Sequence, residues 1–159
     1  MQKGLLISSI VIFLDQLSKW WFMTILSDPP HIIRVTPFFN FIVAWNTGVS
    51  FSMFASDNPY NPYILSAIAI LIVSLIFAWL IKETNYYNIL ALGLVAGGAI
   101  GNIIDRLRFG AVFDFLDFYI GQYHWPAFNI ADSAITIGAI ILIVVTFFEK
   151  DATKDKGLK

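Results

Sequence analysis

An all-α membrane protein of four transmembrane helices, with a small extracytoplasmic β-rich segment between the first and second, is the fold class this sequence predicts. Three observations carry it. Of the 159 residues 58% are apolar and 13% charged, four separate runs each approach the ~20 apolar residues of a bilayer-crossing helix, and one segment between runs mixes aromatic and β-branched residues. Soluble domains carry about 25% charge. Ten Lys plus Arg and eleven Asp plus Glu cannot cover a soluble sphere of this length, so a cytosolic enzyme is excluded.

The runs are roughly 4–26, 62–81, 86–104 and 130–148, within one integral membrane domain over 1–159. The first has Lys3 ahead of it like a signal peptide, but Asp15 and Lys19 interrupt it and no small-residue cleavage pattern follows, so it reads as a retained span. The second has no charge from Pro62 to Ile81. In the third, Gly93, Gly97 and Gly101 recur every four residues, a face that lets a neighbouring helix approach closely. The segment between the first two runs contains FFNFIVAWNTGVSFSMF, which predicts short strands at the headgroup level.

Positive residues are retained in the cytoplasm. Lys3, Lys82, Lys150, Lys154, Lys156 and Lys159 share one side and Arg34, Arg106 and Arg108 the other, six against three. Both termini are thus expected to be cytoplasmic, 27–61 and 105–129 extracytoplasmic, and the tail 149–159 cytoplasmic and solvated. A formal net charge of −1 offers no basic field for nucleic acid. The absence of cysteine excludes disulfides, thiolate nucleophiles and Cys-ligated zinc. His31 and His124 leave little for any other metal, so no metal and no cofactor is expected.

The informative residues are those a membrane would exclude, because a charge near the bilayer centre costs about 3 kcal/mol on insertion scales. Asp15 and Lys19 lie one turn apart and can pair; the plain reading is a self-neutralising bridge, the sharper one support of a site in the outer half of the bundle. Asn102 falls near the same depth. A second collection, Asp105, Arg106, Asp114 and Asp117, follows the third run, and Asp132 opens the fourth. The segment joining those runs begins and ends at neighbouring helix mouths, so Asp114 and Asp132 can meet across 18 positions. Each alone has a plainer reading, Asp132 as a helix cap and Asp114 as a solvated loop carboxylate. Arg106 and Lys19 can hold the network by charge-assisted bonds, or simply pair with Asp105 and Asp15.

No nucleophile elbow, zinc helix motif or phosphate loop occurs, and His31 and His124 read as interface residues. Paired-carboxylate chemistry remains. Two close carboxyls in a poorly hydrated site share a proton; the ionised one accepts a proton from water and the protonated one donates to a scissile carbonyl oxygen.

These residues resemble the lipoprotein signal peptidases (signal peptidase II), bacterial inner-membrane aspartic proteases, over nearly the whole chain. Four ordered blocks carry the resemblance: D-Q-L-S-K from Asp15 to Lys19, N-T-G-V-S-F from Asn46 to Phe51, G-N-I-I-D-R-L-R-F-G-A-V-F-D-F from Gly101 to Phe115, and F-N-I-A-D from Phe128 to Asp132. It implies Asp114 and Asp132 as the catalytic dyad, and Asp15, Lys19, Asn46, Gly48, Asn102, Arg106, Asn129 and Ala131 as residues that shape or support the site. It further implies a diacylglyceryl-modified prolipoprotein substrate, cleaved before the lipidated cysteine, with membrane lipid as the other partner. A monomer is expected. Two other classes account for part of the pattern. A proton- or ion-coupled transporter would use Asp15 and Lys19, and an assembly subunit would use the glycine face of the third run.

Overall fold

The computed structural model describes residues 1–27, 31–48 and 58–156; Val49, Ser50 and Phe51 of the second block and Lys159 of the tail lie outside them. The element order is α1 (Gln2–Leu26), β1 (Ile33–Thr36), β2 (Phe39–Asn46), α2 (Asn61–Lys82), α3 (Tyr86–Phe109), β3 (Val112–Ile120), β4 (Tyr123–His124) and α4 (Ile130–Lys156). Among the described residues, α1, α2, α3 and the part of α4 up to Phe148 are long and apolar enough to cross a membrane. Large apolar side chains such as Phe13, Leu71, Leu75 and Ile143 stand exposed along them, as lipid-facing helices require.

Helix α3 is the axis of the bundle. Of its apolar stretch 61% is buried inside the protein, against 22% or less for the other three. With lipid as solvent, helices gain little by burying apolar area and associate through close packing instead, and the glycines supply it. A Cβ on Gly97 would stand 2.8 Å from both the Ser8 carbonyl oxygen and Val11 Cβ, and one on Gly93 2.9 Å from the Gly4 carbonyl oxygen. The repeat therefore faces α1 inside the chain, where Ser8 also donates to the Gly93 carbonyl at 2.9 Å. Gly98 makes the corresponding approach to the Ala131 backbone of α4.

The helix ends follow from local chemistry. Asn85 caps α3 by accepting from the backbone N–H of Tyr87 and Asn88, and Gly110, at φ 75°, closes it in the left-handed conformation. The helix thus runs to Phe109, so Asp105 and Arg106 lie in its last turns and not in a loop.

The sheet is antiparallel in the order β1-β2-β3-β4. The strands expected after the first run are present, but half of the sheet comes from the segment after α3, expected to be a loop. Under the sheet, Leu26, Phe113 and Phe115 form a core with Phe22 and Phe41. Phe22 of α1 stacks on Phe115 of β3, with centroids 4.4 Å apart, so the sheet is anchored to the end of α1.

This packing makes a prediction. Gly97→Val forces a branched carbon bearing two methyl groups into the α1–α3 seam, where overpacking costs about 1–3 kcal/mol. Melted in detergent, it unfolds below wild type, whereas Leu75→Val on the exposed flank of α2 melts with it. Equal melting of the two variants would refute the close seam.

Candidate active site

The polar side chains singled out in the sequence meet where the helix mouths join the sheet. Lys19 of α1 is 1% exposed. Its ammonium lies 2.9 Å from Asp15 Oδ2 and 2.9 Å from Asp105 Oδ2, and donates to Asn102 Oδ1 at 3.1 Å. Pairing with Asp15, the plain reading, is thus present together with two further acceptors. Asp15 Oδ1 accepts the backbone N–H of Ala131 at 2.9 Å. A carboxylate there satisfies a free amide in the first turn of α4 and sits favourably at the helix dipole.

Asn102 carries the network onward by donating to Asp132 Oδ1 at 2.8 Å. Asn129 is its other hub. Its side-chain oxygen accepts the backbone N–H of Asp132 at 2.9 Å, while its amide nitrogen donates to Asp114 Oδ1 at 2.6 Å. Asn129, three residues before Asp132, is therefore the cap of α4, and the Asp132 carboxyl is left for other work. Asn46 Oδ1 accepts the Gly48 N–H at 2.9 Å, and its side chain also hydrogen-bonds Asp114. Arg106 does not take Asp105 as a hydrogen-bonded partner. It donates through Nη2 to the Gly48 carbonyl at 2.7 Å, and its buried Nε has no partner among the described residues.

All ten predicted site residues thus fall in one neighbourhood: the two aspartates, the Lys19 cluster and the asparagines by direct bonds, Gly48 through Asn46 and Arg106, and Ala131 through its amide. Asp117 does not join them. It lies three positions beyond Asp114, on the opposite face of β3, where it pairs with His124 Nδ1 at 2.8 Å and accepts from Asn40 at 3.0 Å. Gln16 was missed. Its amide donates to Asp105 Oδ1 at 2.9 Å and to Asp15 Oδ2 at 3.2 Å; a polar amide within an apolar span was the available signal.

Asp114 is 2% exposed. Burial first, and then the charge of neighbouring Asp132, push its carboxyl up from 3.8 to about 7, against the opposing bonds from Asn46 and Asn129. Asp132 is half-buried and lines a groove of about 530 Å³ with Trp125, Phe128, Thr136 and Ile137. The groove lies between the first turns of α4, at Asp132, Ser133, Thr136 and Ile137, and the sheet-side residues Asn46 and Trp125 to Phe128. Among the described residues no group of three His, Asp or Glu is arranged to hold a metal ion.

Four apolar helices with two neighbouring acids at their mouth, one dry and one open to an apolar groove, define a multi-pass membrane protein with a paired-carboxylate site. The family model described as signal peptidase (SPase) II matches residues 7–148, and the chain belongs to that family of membrane peptidases. It is 43% identical over 148 residues to the lipoprotein signal peptidase of Desulforapulum autotrophicum, covering 91% of each chain. It is 39% identical over 160 residues to that of Nitrobacter hamburgensis, covering 97% of each. A bacterial membrane enzyme solved by the in meso method at 2.3 Å superposes with a TM-score of 0.81 at 30% identity, over 94% of this chain and 90% of that one.

The raised Asp114 carboxyl has a consequence for stability. The folded protein binds that proton more tightly than the unfolded chain, so this contribution is complete below pH 3.8 and is lost as pH rises through about 7. Asp114→Asn keeps an oxygen for Asn129 and removes the titration. The variant is expected to melt above wild type at pH 8, with the gap closing towards pH 4; parallel melting curves would contradict the burial cost.

Proposed function

We propose that the chain removes the signal peptide from diacylglyceryl-modified prolipoproteins, cleaving before the lipidated cysteine, with Asp114 and Asp132 as an aspartic dyad. The observation that carries this reading is the bridging of the two carboxyls through Asn129 and Asn102 in a chain of the signal peptidase II family. With Asp114 near pH 7, the pair holds one proton over a neutral range. The ionised member takes a proton from water as that water attacks the scissile carbonyl carbon. The protonated member donates to the carbonyl oxygen; as the tetrahedral species collapses, the carboxyl that took the water's proton passes it to the leaving amine and the other recovers its proton from the hydroxyl that becomes the new carbonyl. Asn46, Asn102 and Asn129 orient the dyad, and Arg106 holds the Gly48 backbone beside it.

The groove beside Asp132 supports a lipidated substrate. An apolar channel along α4 receives acyl chains from the bilayer, so the modified cysteine reaches the dyad without being drawn into water. In this reading both termini are cytoplasmic, which the charge asymmetry of the flanks supports, and the site acts at the outer face of the bacterial inner membrane in a monomer. Transport through Asp15 and Lys19 is not favoured, because both are committed to Asp105, Asn102 and Ala131. An assembly role for the glycine face is not favoured either, since that face is filled by α1.

A gel-shift cleavage assay in detergent tests the proposal. Wild type is expected to cleave a prolipoprotein carrying its diacylglyceryl group and to leave the unmodified form intact. Asp114→Asn and Asp132→Asn should each lose a factor on the order of 10²–10⁴, the range of general acid–base catalysis, while still inserting and folding. Retained cleavage in both variants would sink the dyad.

A further inference from the structure

Strand β3 is paired with β2 along one edge. Along the other, β4 joins only at Tyr119 and Ile120, and Phe128 bridges at Leu116. At Phe113 no strand among the described residues pairs along that second edge, yet a buried peptide must find partners. The helix ends supply them: the Phe113 N–H donates to Asp105 Oδ2 at 3.1 Å, and the Phe113 carbonyl accepts from Asn129 Nδ2 at 3.4 Å. Asp105 is itself fixed. It is 1% exposed, its Oδ2 also meets Lys19 Nζ at 2.9 Å, and its Oδ1 takes the Gln16 amide at 2.9 Å.

Phe113 immediately precedes Asp114, so the peptide gripped by Asp105 sets where the Asp114 backbone, and hence its carboxyl, stands. We propose that Asp105 is a positioning residue for the peptidase site, acting through the Phe113 peptide to hold the Asp114 carboxyl opposite Asp132. The inference rests on the catalytic reading of those two aspartates. The competing role for Asp105 is a second counter-charge for Lys19, which Asp15 already neutralises. The two roles make different demands: positioning needs an acceptor oxygen at this place, whereas charge balance needs an anion.

Asparagine separates them. In Asp105→Asn the amide oxygen still accepts from Phe113 and Lys19, and the bond from Gln16 is the one lost. Asp105→Ala removes the acceptor, and Asp105→Ser leaves a hydroxyl too short to reach. Cleavage kinetics on a diacylglyceryl prolipoprotein are expected to give kcat within about tenfold of wild type for Asp105→Asn, because a neutral acceptor keeps roughly half the strength of a charged one. Asp105→Ala and Asp105→Ser should lose on the order of 100-fold in kcat, as a misplaced catalytic group does. KM should stay within about threefold, since Asp105 touches no substrate.

The proposal is overturned if Asp105→Ala turns over like wild type, if Asp105→Asn falls as far as Asp105→Ala, or if the loss is in KM. Should Asp105→Ala and Asp105→Ser not fold, the Phe113 amide proton decides by NMR in wild type. Slow exchange and a downfield shift support the clamp, and rapid exchange overturns it. Asp114→Asn is assayed alongside: cleavage by that variant would overturn the catalytic reading itself, while the amide measurement is independent of cleavage.

Discussion

One buried ammonium organises this molecule. Lys19 stands 1% exposed in an apolar helix, where an unpaired charge is costly, and an ammonium has three N–H donors to satisfy. Asp15, Asp105 and Asn102 accept all three. Removing one partner of a buried ion pair typically costs about 3–5 kcal/mol because the remaining charge is stranded, so the acceptors are mutually dependent. They also come from different elements. Asp15 lies on α1, Asp105 and Asn102 lie on α3, and the second oxygen of Asp15 holds the first turn of α4. Satisfying one cation therefore fixes the end of α3 and the start of α4 against the second half of α1, and the absence of a side chain at Gly101, where a Cβ would stand 2.6 Å from Asp15 Oδ2, lets α3 come near enough to do it.

From there the site is extended by amides. Asparagine offers a donor and an acceptor on one rigid plane without charge, and the chain uses both ends. Asn102 accepts from Lys19 and donates to Asp132. Asn129 accepts from the backbone of α4 and donates to Asp114. Asn46 accepts from Gly48 while bonding Asp114. A strand residue and a helix residue are thus held together by groups whose positions are set by helix caps and turns. That is the form of support the proposed catalytic pair requires if its geometry is not to depend on loop motion.

Much of this was legible in the sequence, and the rest failed for physical reasons. Apolar length revealed the helices because lipid demands it, and the spacing of Asp15 and Lys19 revealed their pairing because it is local. Asp105 and Arg106 made α3 look finished at 104, since hydropathy weighs a charge against lipid and cannot see that its partners lie inside the protein. Strand β3 is hidden in the sequence because VFDFLDFYI is buried through most of its length and so lacks alternation, while its partner β2 lies more than sixty residues away. Asp132 and Asn129 both suit a helix start by composition, and only the geometry shows Asn129 capping. The grip of Asp105 on β3 and the contacts of Gln16 depend on which way two helices turn. No local pattern encodes that rotation.

The same arrangement explains how a carboxyl can titrate near neutrality beside a lysine. An ammonium close to Asp114 would stabilise the ionised form and draw its titration down. Lys19 does act in that direction, but burial, Asp132 and the two asparagines weigh more on Asp114, and the ammonium itself is held by Asp15, Asp105 and Asn102. Among the described residues, the side chains that hydrogen-bond Asp114 are the neutral amides of Asn46 and Asn129. They supply hydrogen bonds and fix orientation while leaving burial and the neighbouring acid to dominate. Had the support been built from cations, the proposed dyad would be as well ordered but more fully ionised, against the proton donation proposed for it. Two carboxylates on Lys19 and amides around Asp114 are thus two parts of one solution, which keeps a membrane-buried site both polar enough to be rigid and anionic enough to hold its proton.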